Sequence, residues 1–321
     1  MVVLQTNQKS ACFEVPLISR KTWNDPEPLL VVITGPTAIG KTPVAITLAK
    51  VLNTVILSAD SRQFYAEMNI GTAKPDAAQL NAVPHYFVGQ LSVHDYFNAA
   101  RYEADVLQLL PFLFEKYSVV LMVGGSGLYI DAVCRGIDDF PDPTTELRNY
   151  LKGILADQGI VKLQELLQQY DPVHMLAVDT ANPKRLLRAL EVCMTTGKPY
   201  SEQRMNQAKA RGFRVAKIGL NLPRAELFAR INQRVDNMMA KGLLEEVEQL
   251  IPLRHLNALN TVGYKELFTY LDGEVSLERA VENIKTNTRR YAKRQLTWFK
   301  KDMEMNWFEP QQTAEILKHI K

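Results

Sequence analysis

Residues 35–42, Gly-Pro-Thr-Ala-Ile-Gly-Lys-Thr, place Gly35, Gly40, Lys41 and Thr42 at the spacing G-x-x-x-x-G-K-[ST], with Pro36, Thr37, Ala38 and Ile39 between them. A turn of this kind at the start of a helix turns backbone N–H groups inward and adds the positive end of the helix dipole, so it cradles an anion. Lys41 is placed to reach the outer oxygens of a di- or triphosphate, and the Thr42 hydroxyl to sit on a magnesium ion. A chance match on a strand–helix turn is the plain alternative. The flanks argue against it: Leu29–Ile33 is an apolar, β-branched run, and Val44–Lys50 reads as a helix that tolerates Pro43 in its first turn.

A second chemical group follows at Ala59-Asp60-Ser61-Arg62-Gln63, directly after the apolar run Thr54–Ser58. At the carboxyl end of a parallel strand, Asp60 would overlook the ligand crevice as a general base or a magnesium ligand. It could equally cap a helix, a role open to Ser61 as well. The run Val119–Val123 ends in Gly124-Gly125-Ser126-Gly127, a turn suited either to close approach of backbone to a ligand or simply to a tight corner. Downstream, Glu226 and Arg230 are spaced as a surface ion pair, and Arg234 lies one turn further on. Arg234 reads as another surface cation or as a guanidinium aimed at the phosphate site, where it would stabilise developing negative charge.

Strand–helix alternation up to about residue 137 predicts an α/β fold, a parallel sheet flanked by helices. Tyr86–Val88 is a third strand and 98–116 a helix. Asp138–Pro143 looks like a linker, and Leu163, Leu166, Leu167 and Tyr170 share one helical face. Residues 138–211 therefore read as a mainly helical insertion into a core of 29–137 and 212–321. Residues 1–28 read as a loose extension. Val215–Leu220 returns to the sheet, followed by a helix starting near Pro223. Residues 285–301 read as a helix with Ile284, Tyr291, Trp298 and Phe299 towards the core.

The hydrophobic share of 46%, charged share of 23% and net charge of +3 suit an ordinary globular protein, so affinity for a polyanion must come from clustering. Such clusters exist. Residues 181–217 carry nine basic residues, among them Lys184, Arg185 and Arg188, against Glu191 and Glu202. The stretch 285–301 carries seven basic residues, including Lys293 and Arg294, and no acid. Cys12, Cys134 and Cys193 form no C-x-x-C pair, which argues against a disulfide framework or a zinc ribbon. No run approaches a membrane span and no secretory signal is visible, so the expected location is the cytoplasm.

Taken together, the chain resembles the tRNA dimethylallyltransferase (IPP transferase) family. The likeness rests on residues 35–42, on Ser58–Tyr65, Gly71–Pro75, Val123–Tyr129 and Arg230–Arg234, and on Val262–Tyr264 and Lys293–Trp298. At one position the family has threonine where this chain has Ser126, which keeps the hydroxyl. The resemblance implies that residues 35–42 hold the diphosphate of dimethylallyl diphosphate, helped by Arg234, with magnesium on Thr42. It implies Asp60 as the base for N6 of adenine 37, beside the anticodon, with Ser126 holding the reacting groups. It places Asp60, Ser61, Arg62 and Gln63 against the tRNA, joined by Arg148, Lys184, Arg185 and Arg188 of the insertion. The loop Asn260, Thr261, Val262, Gly263, Tyr264 and Lys265, and the stretch Lys293–Lys300 with Arg294, would complete the grip on the anticodon stem-loop. A monomer is expected. Rival readings are a P-loop small-molecule kinase, a prenyltransferase acting on free adenine nucleotide, and a nucleic-acid-stimulated ATPase. The last would show an acidic pair after a buried strand, and Met122-Val-Gly-Gly carries none.

Overall fold

The computed structural model describes residues 2–4, 11–13, 27–205 and 207–320. Apart from two short paired strands, β1 (Val2–Leu4) and β2 (Ala11–Phe13), the expected loose extension lies outside the described residues. The elements that follow are β3 (Leu29–Thr34), α1 (Lys41–Leu52), β4 (Ile56–Ala59), α2 (Ala77–Ala82), β5 (His85–Tyr86), α3 (Ala99–Phe114), β6 (Val119–Gly124) and α4 (Gly127–Arg135). Then come four helices, α5 (Thr145–Tyr170), α6 (Pro172–Ala177), α7 (Pro183–Thr196) and α8 (Tyr200–Gln203). The chain ends with β7 (Arg214–Leu220), α9 (Arg224–Ala240), α10 (Leu243–Gln249), α11 (Tyr264–Leu271), α12 (Leu277–Phe299), β8 (Asn306–Phe308) and α13 (Thr313–Ile320).

Two compact units result: Met1–Cys134 with Ala210–Lys321, and Arg135–Lys209. The first is built on a six-stranded sheet in the order β5-β4-β6-β3-β7-β8, every neighbouring pair parallel. Both faces are covered, which explains why β3 and β6 are buried at every position and read as unbroken apolar runs. Alternate residues feed opposite cores. Leu30, Val32, Val120 and Met122 pack with α3 and α4, whereas Val31, Ile33, Leu121 and Val123 pack with α1, α9 and α13.

The four-helix unit has its own small core of Leu151, Ile154, Leu163, Leu167, Leu186, Ala189 and Leu190. Gly159, at φ 74, breaks α5 into two helical runs. Tyr170, expected on the apolar face, is 43% exposed because the helix ends there and the chain turns at Asp171. That aspartate is wholly buried. It accepts the His174 N–H at 2.8 Å, the Ser201 hydroxyl at 2.8 Å and the Ser201 N–H at 2.7 Å, so it caps α6 and ties α8 to it.

In α12 the buried positions are Ala280, Ile284, Ala292, Gln295 and Phe299. Phe299 is in the core as expected; Trp298 is not. It is 43% exposed, and its indole Nε1 donates to Asp131 at 3.0 Å. The indole lies against Gly127 of α4, where a Cβ would come within 2.4 Å of the ring, so Trp298 packs over α4 with part of its ring left to solvent instead of entering the core.

Candidate active site

The parallel register brings three loops to one edge of the sheet. Ile33 pairs with Val123, Ala59 with Gly124, and Thr34 with Gly219, so the chain leaves β3, β4 and β6 at the same level. Just beyond stand Gly35, Asp60 and Gly125. Strand β6 lies between β3 and β4, so Asp60 faces the glycine-rich loop across the Gly125 turn and not from the next strand.

Gly35 has φ 144, and a Cβ there would lie 2.5 Å from the Leu220 carbonyl oxygen; only glycine fits. Ala38 (φ 65) and Gly40 (φ 100) complete the left-handed turns that lead into α1. Lys41 Nζ donates to the Gly35 and Pro36 carbonyls at 3.0 and 2.9 Å. Its ammonium has one further N–H for a ligand oxygen. Burial pushes the Lys41 ammonium down to about 8, with Asp60 opposing the shift and Arg234 adding to it. Burial likewise lowers Arg234, again against the pull of Asp60. Arg234 therefore sits with Lys41 and Asp60 inside the site. Arg230 makes the exposed pair with Glu226 at 2.8 Å.

Asp60 Oδ1 accepts the Arg62 N–H at 3.0 Å, so the aspartate does shape its own turn. Turn and charge site are combined in one residue. The Ser126 hydroxyl accepts the Ser61 N–H at 2.9 Å and lies 3.2 Å from the Ser61 hydroxyl, which pins the Gly125 turn to the turn of Asp60. Two phenols close in. Tyr129 is pushed up to about 12 by burial and neighbouring Tyr65, against Arg62; Tyr291 is raised by burial and by Asp60.

One buried amide links the loops. Gln295 of α12 accepts the Thr37 N–H at 2.8 Å and donates to the Gly125 carbonyl at 2.8 Å. Tyr129 and Tyr291 were not identified as site residues from the sequence, and Gln295 was expected on the RNA as part of the stretch Lys293–Lys300, whereas its amide is turned inward. The available signal was a neutral amide at a core-facing position in the basic half of α12.

A sequence profile described as IPP transferase matches residues 63–302. The chain belongs to the IPP transferase family. It is 50% identical over 294 residues to tRNA dimethylallyltransferase 1 of Bacteroides thetaiotaomicron, covering 92% of this chain and 96% of that protein. It is also 50% identical to tRNA dimethylallyltransferase of Christiangramia forsetii, covering 87% and 93%. Among solved structures, the tRNA isopentenylpyrophosphate transferase of Bacillus halodurans matches with a TM-score of 0.67 at 35% identity, over 92% of this chain and 96% of that one. A eukaryotic dimethylallyltransferase acting on tRNA matches with a TM-score of 0.70 at 26% identity, over 84% and 69%.

The remaining residues named from the family resemblance divide into several groups. Arg62 lies among the phenols Tyr65, Tyr129 and Tyr291. The Gln63 amide donates to the carbonyls of Thr72 and Ala73 at 3.2 and 3.1 Å, which ties the turn after β4 to that loop. In the loop 260–265, Asn260 and Lys265 are exposed and Thr261 and Val262 half-buried, but Gly263 and Tyr264 are buried. The Tyr264 hydroxyl donates to Glu246 at 2.7 Å, and the same carboxylate accepts the N–H groups of Asn69, Ile70 and Gly71. Tyr264 is thus an anchor of the fold, not an RNA contact. Lys293 and Arg294 are exposed on α12, with Arg294 5.7 Å from the centre of the Tyr291 ring.

Arg148, Lys184, Arg185 and Arg188 belong to the helical unit. Lys184 and Arg185 are exposed, while Arg148 and Arg188 flank Glu191 at 3.5 and 3.6 Å. The basic count over 181–217 overstated the cluster. Arg211 pairs with Glu103 at 2.6 Å, and Lys217 with Asp302 and Glu304 at 2.7 Å each, all in the other unit.

Among the described residues, no group of three or more His, Cys, Asp or Glu is placed to hold a metal. Thr42 lines a small cavity with Ser58, Gln63 and His85 and with the apolar Ala45, Ile56, Pro75 and Val123. With the Thr42 hydroxyl at the cradle and, among the described residues, no carboxylate cluster beside it, the site fits a magnesium ion held mainly by water and substrate phosphate oxygens, as that ion prefers, and not a cage built by the protein.

Proposed function

We propose that this protein transfers the dimethylallyl group of dimethylallyl diphosphate to N6 of adenine 37 of tRNA, releasing diphosphate. The observation that carries the reading is the shared sheet edge: an anion cradle with two half-buried, partly desolvated cations, Lys41 and Arg234, faces a carboxylate, Asp60. The family membership and the tRNA-directed activities named for the relatives support the acceptor.

In this reading the 35–42 loop binds the diphosphate, and Lys41 and Arg234 neutralise it as the allylic C–O bond breaks and its electron pair leaves with the diphosphate. The N6 lone pair forms the new C–N bond, and Asp60 takes the proton that N6 loses. Ser126, tied to Ser61, holds the acceptor side of the site. The adenine must leave its stack to reach the sheet edge. Magnesium, where it accompanies the diphosphate on Thr42, supplies further neutralising charge. Exposed Lys184, Arg185, Lys293 and Arg294, with Arg148, Arg188, Asn260 and Lys265, make the grip on the anticodon stem-loop backbone. No helix among the described residues is long and apolar enough to cross a membrane. We take the chain to act as a monomer in the cytoplasm.

The test is incubation with magnesium, radiolabelled dimethylallyl diphosphate and unmodified tRNA, followed by nucleoside analysis. Label on N6 of the adenine beside the anticodon is the expected product. Transfer to free AMP alone, or phosphate release from ATP without prenyl transfer, would overturn the reading in favour of an adenylate prenyltransferase or a kinase.

A further inference from the structure

We propose that Gln295 is a positioning residue of the donor site, although it directly follows Lys293 and Arg294, which the proposed function sets against the RNA. Its amide locks the diphosphate cradle to the turn carrying Ser126, and so sets the spacing between leaving group and acceptor. The inference rests on the prenyl-transfer reading above.

Three observations carry it. Gln295 is 6% exposed while Lys293 and Arg294, two residues and one residue earlier, are exposed, so a single turn of α12 divides into an outer basic edge and an inner amide. Both ends of that amide are used, Oε1 by the Thr37 N–H and Nε2 by the Gly125 carbonyl, each at 2.8 Å. The fit is also close. A Cβ on Gly125 would lie 2.2 Å from Gln295 Nε2 and 3.6 Å from Lys41 Nζ, so amide, turn and cradle lysine meet with no room for another side chain.

The two ends are not interchangeable. An acceptor is needed at Thr37 and a donor at Gly125, which glutamine alone supplies in this orientation. Glutamate keeps the acceptor, but it sets an oxygen against the Gly125 carbonyl and a negative charge beside a cradle made for an anion. Leucine removes both bonds and leaves two buried polar groups unpaired.

The experiment compares wild type, Gln295→Leu, Gln295→Glu and the outer-edge double variant Lys293→Ala with Arg294→Ala. It measures inorganic diphosphate binding by calorimetry, tRNA binding as a function of salt, KM and kcat for dimethylallyl diphosphate, and thermal stability. Gln295→Leu is expected to weaken diphosphate binding about tenfold and to raise the donor KM in step, with tRNA affinity and salt slope unchanged. Gln295→Glu, nearly isosteric and the safer variant for folding, is expected to lose more diphosphate affinity than Gln295→Leu. The outer-edge variant should do the reverse, losing tRNA affinity and keeping diphosphate. Diphosphate binding equal to wild type in folded Gln295→Glu would overturn the proposal, as would a loss confined to tRNA. Failure of the prenyl-transfer reading itself would look different: wild type would bind diphosphate and transfer no label.

Discussion

Two aspartates, one in each unit, separate what the chain uses to fold from what it uses to react. Asp171 in the helical unit is wholly buried and saturated: two backbone N–H groups and a hydroxyl converge on it, and no salt-bridge partner is needed. Asp60 at the sheet edge accepts one backbone N–H and spends its charge on Lys41 and Arg234, both of which burial pushes towards neutrality. Buried charge with complete hydrogen bonding holds structure together. Charges desolvated against one another, with capacity left for a ligand, are an arrangement that costs stability and serves chemistry.

The sharpest way to break this comparison is to remove each carboxylate. Asp60→Ala should reduce turnover by roughly 10²–10⁴-fold while leaving tRNA binding and the melting temperature close to wild type. Asp171→Ala should do the opposite, costing about 3 kcal/mol of stability by stranding its buried donors and leaving turnover per folded molecule largely intact. Loss of tRNA binding in Asp60→Ala would make it a contact or a cap. A stable Asp171→Ala protein would remove the contrast.

The pH dependence should separate the same two regions. Burial works against the ionised form of Asp171, but hydrogen bonds from His174 and Ser201 outweigh it and hold the carboxyl below its usual value. Its stabilisation is therefore full above the unfolded carboxyl value and is lost as pH falls through the folded one. Lys41 is lowered to about 8 from 10.5, so in that window the unfolded chain holds a proton the folded chain has released, and stability rises with pH. Diphosphate affinity moves the other way as the ammonium is lost. Donor KM measured from pH 7 to 9.5 should climb above about pH 8; a flat profile would mean that Lys41 stays charged and does not limit binding.

The smallest effect concerns the surface of the helical unit. Arg185→Ala with Arg188→Ala should weaken tRNA binding and flatten its dependence on salt by roughly two in slope. Arg188 already has Glu191 3.6 Å away, so Arg185 should contribute the larger part. An unchanged slope would place the RNA elsewhere.

How much was legible follows from distance along the chain. The diphosphate cradle was readable because its parts lie within eight residues, and Gly35, Gly40 and Lys41 adopt the strained turns and the inward lysine that such a spacing demands. Gln295 was not, since its partner Thr37 is 258 positions away, and an amide on the inner side of a helix does not say which loop it will reach. Nor could counting show that Arg211 and Lys217 are neutralised by Glu103, Asp302 and Glu304, or that Tyr264 is taken up by Glu246.

The sequence by itself determined the parallel sheet, the anion-binding turn and the segments that resemble the family, because apolar periodicity, glycine backbone freedom and helix dipoles act over a few residues. Only the tertiary structure decided which charges are spent within the fold and which remain at the site. Strand order and register alone set Asp60, Gly125 and the 35–42 loop at one edge, and pairing across strands and helices is fixed by burial of the whole core.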